Sequence, residues 1–139
     1  MALTYRYKAV QRPQGTIKSP IIPITLRGSG ESIDFTALID SGADVSAISQ
    51  EVGELLGLDL SGPQEPTKGI VGEVPSVETK VWLTIGKDRE KYPFFIPVKV
   101  LLGKVNIGIL LGRKGFFDKF SITFEEINEK VVLKRILKR

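Results

Sequence analysis

Ala37-Leu38-Ile39-Asp40-Ser41-Gly42-Ala43-Asp44 is the stretch on which the reading of this chain turns. An apolar run from Phe35 to Ile39 stops at a carboxylate, a hydroxyl, a glycine and a second carboxylate. Such a run predicts a buried strand that delivers Asp40 into a tight turn at the margin of a core. Gly42 lacks a Cβ, so it permits an unusual backbone angle and close approach by another chain. Ser41 can bond to nearby backbone and stiffen the turn. Asp-Ser-Gly is also ordinary turn chemistry, and the tripeptide alone fits both readings.

Two further segments lie downstream. Val105-Asn106-Ile107-Gly108-Ile109-Leu110-Leu111-Gly112-Arg113 is an apolar strand ending in Leu-Gly-Arg, and Lys114-Gly115-Phe116-Phe117 follows it. Gly69-Ile70-Val71-Gly72 lies between the two strands, at the tip of an expected hairpin. Together, in this order, the three segments resemble the active-site strand, the second signature and the glycine-rich flap of retroviral-type aspartic proteases, the retropepsins. The resemblance runs from about Pro20 to Phe124 and is nearest to the short prokaryotic retropepsin-like proteins. It implies an all-β fold, a closed β-barrel with one or two short helices that works as a homodimer.

Composition narrows the chemistry. The chain has 139 residues, 42% of them hydrophobic, enough for one core. It is expected to form a single domain over residues 1–139, with a core at about 20–124 and a C-terminal dimerisation extension at about 125–139. There is no cysteine, so no disulfide framework and no thiol nucleophile. There is no histidine, which removes His-dependent triads and the usual zinc sites. No metal and no cofactor are expected. Net charge is +4, from 20 Lys and Arg against 16 Asp and Glu. No aromatic–basic patch is legible in the sequence, which counts against nucleic acid as a partner. The opening Met1-Ala2-Leu3-Thr4-Tyr5-Arg6 carries no signal-like apolar core, and no apolar stretch reaches membrane-spanning length. The expectation is a cytoplasmic protein without a membrane partner.

The flanking pattern is β throughout. Leu3 to Val10 alternates and predicts one half-buried strand. Ile21 to Arg27 is a strand whose Pro20 and Pro23 suggest a sheet edge. Gly28-Ser29-Gly30-Glu31 turns the chain into Ser32 to Ile39. Ser49 is a candidate N-cap for a short helix over Val52 to Leu58, with Gly57 as its stop. Val74 to Ile85, Tyr92 to Leu101, Asn106 to Leu111 and Phe120 to Phe124 read as strands, and Arg113 to Lys119 as one or two helical turns. Lys130 to Ile136 reads as the closing strand of a hairpin, with a free edge open to a second chain. Lys134, Arg135, Lys138 and Arg139 are expected at the solvent margin of that edge.

Amide hydrolysis without His, Cys or zinc is possible when two carboxylates share one proton around a water. The chain holds one Asp-Ser-Gly only. A second must come from another copy, and a two-fold dimer supplies it. The resemblance implies that Asp40 is catalytic, that Ser41 and Gly42 support it, and that Ala43, Asp44, Gly69, Ile70, Val71 and Gly72 meet a peptide substrate. It also implies an ion pair between Asp44 and Arg113. An aspartic endopeptidase is the expectation. A retropepsin-fold module that dimerises or captures peptide without catalysis is the alternative.

Overall fold

The strand that leads into Asp40 spans Ser32–Ile39. In the computed structural model, which describes residues 2–69 and 72–137, it is the fifth of twelve strands. In order these are β1 (Ala2–Arg6), β2 (Lys8–Arg12), β3 (Gly15–Ser19), β4 (Ile21–Arg27), β5 (Ser32–Ile39), β6 (Ser46–Ser49), β7 (Gln64–Gly69), β8 (Gly72–Lys87), β9 (Glu90–Leu101), β10 (Ile109–Leu111), β11 (Phe120–Glu125) and β12 (Lys130–Arg135). The helix α1 (Gln50–Leu55) follows β6, and 3₁₀ turns form at Phe117–Lys119 and Glu126–Asn128.

Seven strands make one sheet in the order β4-β5-β10-β6-β9-β8-β7. Thr25, Leu26 and Arg27 of β4 also pair with Thr84, Leu83 and Trp82 of β8. That pairing joins the first strand of the order to the sixth and leaves β7 outside the circuit. Alternate side chains point inward as the strand period requires. Ile22, Ile24 and Leu26 meet Val81, Leu83 and Ile85 and, from β9, Ile96, Val98 and Val100 in one buried cluster. A three-stranded sheet, β1-β12-β11, adds Leu3, Tyr5, Val131 and Leu133 to the same cluster. Each such aliphatic group contributes about 1.5–3 kcal/mol by leaving water.

Several expectations need correction. Leu3 to Val10 is two strands rather than one, because β1 pairs with β12 while β2 pairs with β3. The break falls at Tyr7, whose N–H is donated to the Glu129 carbonyl at 2.7 Å. The strand β4 is not simply an edge: its last three residues are paired on both sides, and Pro23 lies in the first half, where β8 does not reach. The helix begins earlier than periodicity suggests, at Gln50, with Ser49 Oγ accepting from Val52 N–H at 3.2 Å. Gly57, with φ of +68°, stands just past the helix end.

The closing strand is present, but it has no free edge. Antiparallel pairing with β1 covers one side of β12 and pairing with β11 covers the other. The sequence contains no signal for this, since the partner strand is more than a hundred positions away. Arg135 lies over the rings of Tyr92 and Phe94, with its guanidinium carbon 4.8 and 5.7 Å from their centroids. Lys138 and Arg139 lie outside the described residues.

Candidate active site

Asp40 is positioned by a crossing of the chain. The strand β10 lies between β5, to which it is parallel, and β6, to which it is antiparallel. Residues 40–45 therefore pass from one flank of β10 to the other, around its exit at Gly112 and Arg113. Backbone bonds lock that passage. Asp40 N–H donates to the Leu111 carbonyl at 3.0 Å, Arg113 N–H to Ala43 at 2.9 Å, and Lys114 N–H to Asp44 at 2.9 Å. The turn is closed by Ala43 N–H donating to the Asp40 carbonyl at 3.2 Å.

Within the turn, Gly42 N–H donates to Asp40 Oδ1 at 2.9 Å, which fixes the carboxyl orientation. Asp40 and Ala43 are half-buried, while Ser41, Gly42 and Asp44 are exposed. The Arg113 guanidinium donates to the Asp44 carboxylate. Both side chains face solvent, at 60% and 80% exposure, so this pair adds little to folding by itself.

Two residues hold the crossing together, and motif reading passed over one of them, Ser46. Ser46, at 2% exposure, accepts Gly112 N–H on its Oγ at 3.0 Å. Gly112 itself admits no side chain, because a Cβ there would stand 2.5 Å from the Val45 carbonyl carbon. The glycine was visible in Leu-Gly-Arg, but the serine carried no signal beyond lying in the same segment as Asp40.

Gly69 and Gly72 pair opposite each other at the end of the β7–β8 hairpin. Ile70 and Val71, expected at its tip, lie outside the described residues. The hairpin is braced lower down by a Thr67–Ser76 hydroxyl contact of 2.6 Å and by Ser76 Oγ donating to the Glu65 carbonyl at 3.1 Å. Among the described residues no hydrogen bond joins this hairpin to the Asp40 turn.

Strand pairing also assembles a cluster that the linear sequence hides. Trp82 and Phe95 are cross-strand neighbours with ring centroids 5.0 Å apart. Arg27 and Lys80 each stand 5.7 Å from one of those rings. An aromatic–basic patch therefore exists on the outer face of the sheet, contrary to the sequence reading. Among the described residues there is no group of three or more metal-ligating side chains. No helix there is long and apolar enough to cross a membrane.

No protein-family model matches the chain, and no curated protein sequence matches it. Solved structures do match. A retropepsin-like aspartic protease from Rickettsia conorii aligns over 96% of this chain and 98% of its own length, with a TM-score of 0.60. The chain has a retropepsin-like fold. At 20% identity, the likeness shows architecture alone. Within a retropepsin-like fold, one chain presents one oriented carboxyl, at Asp40, on a turn pinned from both sides.

Proposed function

We propose that the protein is an aspartic endopeptidase whose catalytic pair is Asp40 from each of two identical chains. The observation that carries this reading is the Asp40 turn. A half-buried carboxyl, oriented by Gly42 N–H and pinned to the Leu-Gly-Arg segment, stands in a retropepsin-like fold that contains one Asp-Ser-Gly per chain. Two carboxyl groups facing each other across a two-fold axis cannot both ionise, so one holds a proton while the other activates water. The water attacks the amide carbon as its proton passes to the ionised carboxyl, and the protonated carboxyl assists the leaving nitrogen.

Other roles follow in the same reading. Ser41 and Gly42 support the pair, and Ala43 and Asp44 meet the substrate backbone, with Arg113 holding Asp44 in place. The β7–β8 hairpin, with Gly69, Ile70, Val71 and Gly72, closes over the bound peptide as a flap. The cytoplasm is the proposed location.

A peptide library incubated with the wild-type protein and with Asp40→Asn tests the assignment. Cleavage by the wild type, favoured in mild acid, blocked by a statine-type mimic and unaffected by chelators, is the expected result. Full activity of Asp40→Asn would remove the reading. A dimer that binds peptides without cutting them would support the non-catalytic module instead.

A further inference from the structure

The segment that precedes β4 is a hairpin with little of its own chain to rest on. The β2–β3 pair joins Lys8 to Ser19 at its base and Arg12 to Gly15 at its tip, and among the described residues no other strand extends that sheet. Nearly every residue in it is exposed, including Ile17 at 46%. A lone two-stranded ribbon is marginally stable in water, so its persistence calls for a surface to pack on. Near its base the hairpin is tied to the rest of the chain: Lys18 reaches Glu129 at 4.0 Å, and Tyr7 N–H, one residue before β2, donates to the Glu129 carbonyl at 2.7 Å.

Its location decides what that surface is. β5 runs towards Asp40, and β4 is antiparallel to it, so β4 starts at the Asp40 end of the sheet. Ile39 N–H donates to the Pro20 carbonyl at 3.0 Å, which places the hairpin base beside the Asp40 turn. Five extended residues span roughly 17 Å, ample to pass a neighbour that brings its own Asp40 to the same place.

Charge and apolar exposure agree. Between Lys8 and Ser19 there are three cations, Lys8, Arg12 and Lys18, and no acidic residue. Val10 and Ile17 sit opposite each other as an apolar pair on one face. Near the base, the end of β11 and the turn after it carry Glu125, Glu126 and Glu129, and Phe124 and Ile127 there are 40% and 93% exposed. The hairpin is basic and this turn acidic. Within one chain Lys18 already reaches Glu129 and Lys130 reaches Glu125, which leaves Lys8 and Arg12 of the hairpin without an ion-pair partner among the described residues. Each element has uncovered apolar groups. A second copy presents the same two surfaces, each facing its counterpart about a two-fold axis.

We propose that the β2–β3 hairpin is a clasp that packs on a second copy of this chain beside its Asp40 turn. This inference rests on the two-chain reading above and adds the element that holds the chains together. Two variants test it: residues 9–18 replaced by Asn-Gly, which joins the paired Lys8 and Ser19, and the full-length double substitution Val10→Lys with Ile17→Lys. Sedimentation across a concentration series gives the dimer dissociation constant, and circular dichroism melting checks the fold. The dissociation constant should rise about tenfold or more in both variants. If the shortened chain fails to fold, the double substitution on the exposed hairpin decides.

Wild-type dimer affinity in both folded variants would overturn the clasp alone. A wild-type chain that stays monomeric with bound statine-type mimic would overturn both the clasp and the shared catalytic pair. A hairpin-dependent dimer that cleaves no peptide would uphold the clasp while removing the protease reading.

Discussion

Gly112 N–H donates to Ser46 Oγ at 3.0 Å in a place closed to water, and this bond ties the start of β6 to the exit of β10. Asp40 lies on the turn that these two strands bracket. Ser46→Ala removes the acceptor and leaves a buried N–H without a partner, at a cost of about 1–3 kcal/mol. Urea unfolding should show a lower midpoint with an unchanged slope. An unmoved midpoint would mean that another group takes the N–H and that the crossing does not depend on the serine.

Gly112→Ala is expected to be worse than Ser46→Ala. The added carbon would meet Val45 backbone at 2.5 Å, and backbone yields less readily than a side chain. Overpacking of this kind costs roughly 1–3 kcal/mol and displaces the strands that meet there. Soluble yield and melting temperature should both fall, and peptide cleavage with them. At Gly42, by contrast, the added carbon meets only Asp40 Oδ1, at 3.2 Å, so Gly42→Ala should disturb the carboxyl more than the fold.

The Asp40 strand, the end of the Leu-Gly-Arg strand (Ile109–Leu111 of the expected Asn106 to Leu111) and the helix cap at Ser49 were legible because each is a local pattern, an apolar run ending in turn residues or a cap before a periodic segment. What was not legible depends on distant pairing. The placing of β12 between β1 and β11 joins residues from opposite ends of the chain. The Trp82–Phe95 pair exists only because β8 and β9 align in one register. Ser46 is similar: a serine after Asp-Val has no mark of its own until Gly112 is brought beside it.

Arg113→Ala should separate stability from activity. Its ion pair with Asp44 is largely solvated, and exposed pairs contribute little to folding. The melting temperature of the variant should therefore lie close to that of the wild type. If Asp44 meets substrate as proposed, loss of its partner should raise KM and lower kcat/KM by tenfold or so, about 1.4 kcal/mol. Unchanged kinetics would confine the pair to the surface.

Tyr5 sets an alkaline limit on stability. Its hydroxyl is buried with no hydrogen-bond partner, Lys87 Nζ lies 4.6 Å from its ring centroid, and its pKa is pushed up to about 12 by burial first and by Glu90 second. Below pH ~10 the phenol is protonated in both folded and unfolded chains, so its contribution is fully present. Between pH ~10 and about 12 the unfolded chain loses its proton first, and stability falls as pH rises. Tyr5→Phe should flatten that fall and, by removing an unpartnered hydroxyl, leave neutral-pH stability unchanged or raise it by about 1 kcal/mol. Melting curves of both proteins at pH 8 and pH 11 provide the comparison.

A mixing experiment reads the shared pair directly. Wild-type and Asp40→Asn chains fold alike if the carboxyl serves chemistry rather than structure, and the amide can still accept the Gly42 N–H on its oxygen. Unfolded together in equal amounts and refolded, they should pair at random, leaving about one quarter of the dimers with two carboxyl groups. If both are needed, activity per total protein should drop to roughly one quarter of the wild-type value. If one Asp40 suffices within a dimer, about three quarters should remain, and if each chain acts alone, about half. The three outcomes differ by more than the scatter of a rate assay. A residual activity near one quarter requires that each catalytic unit draw Asp40 from two chains.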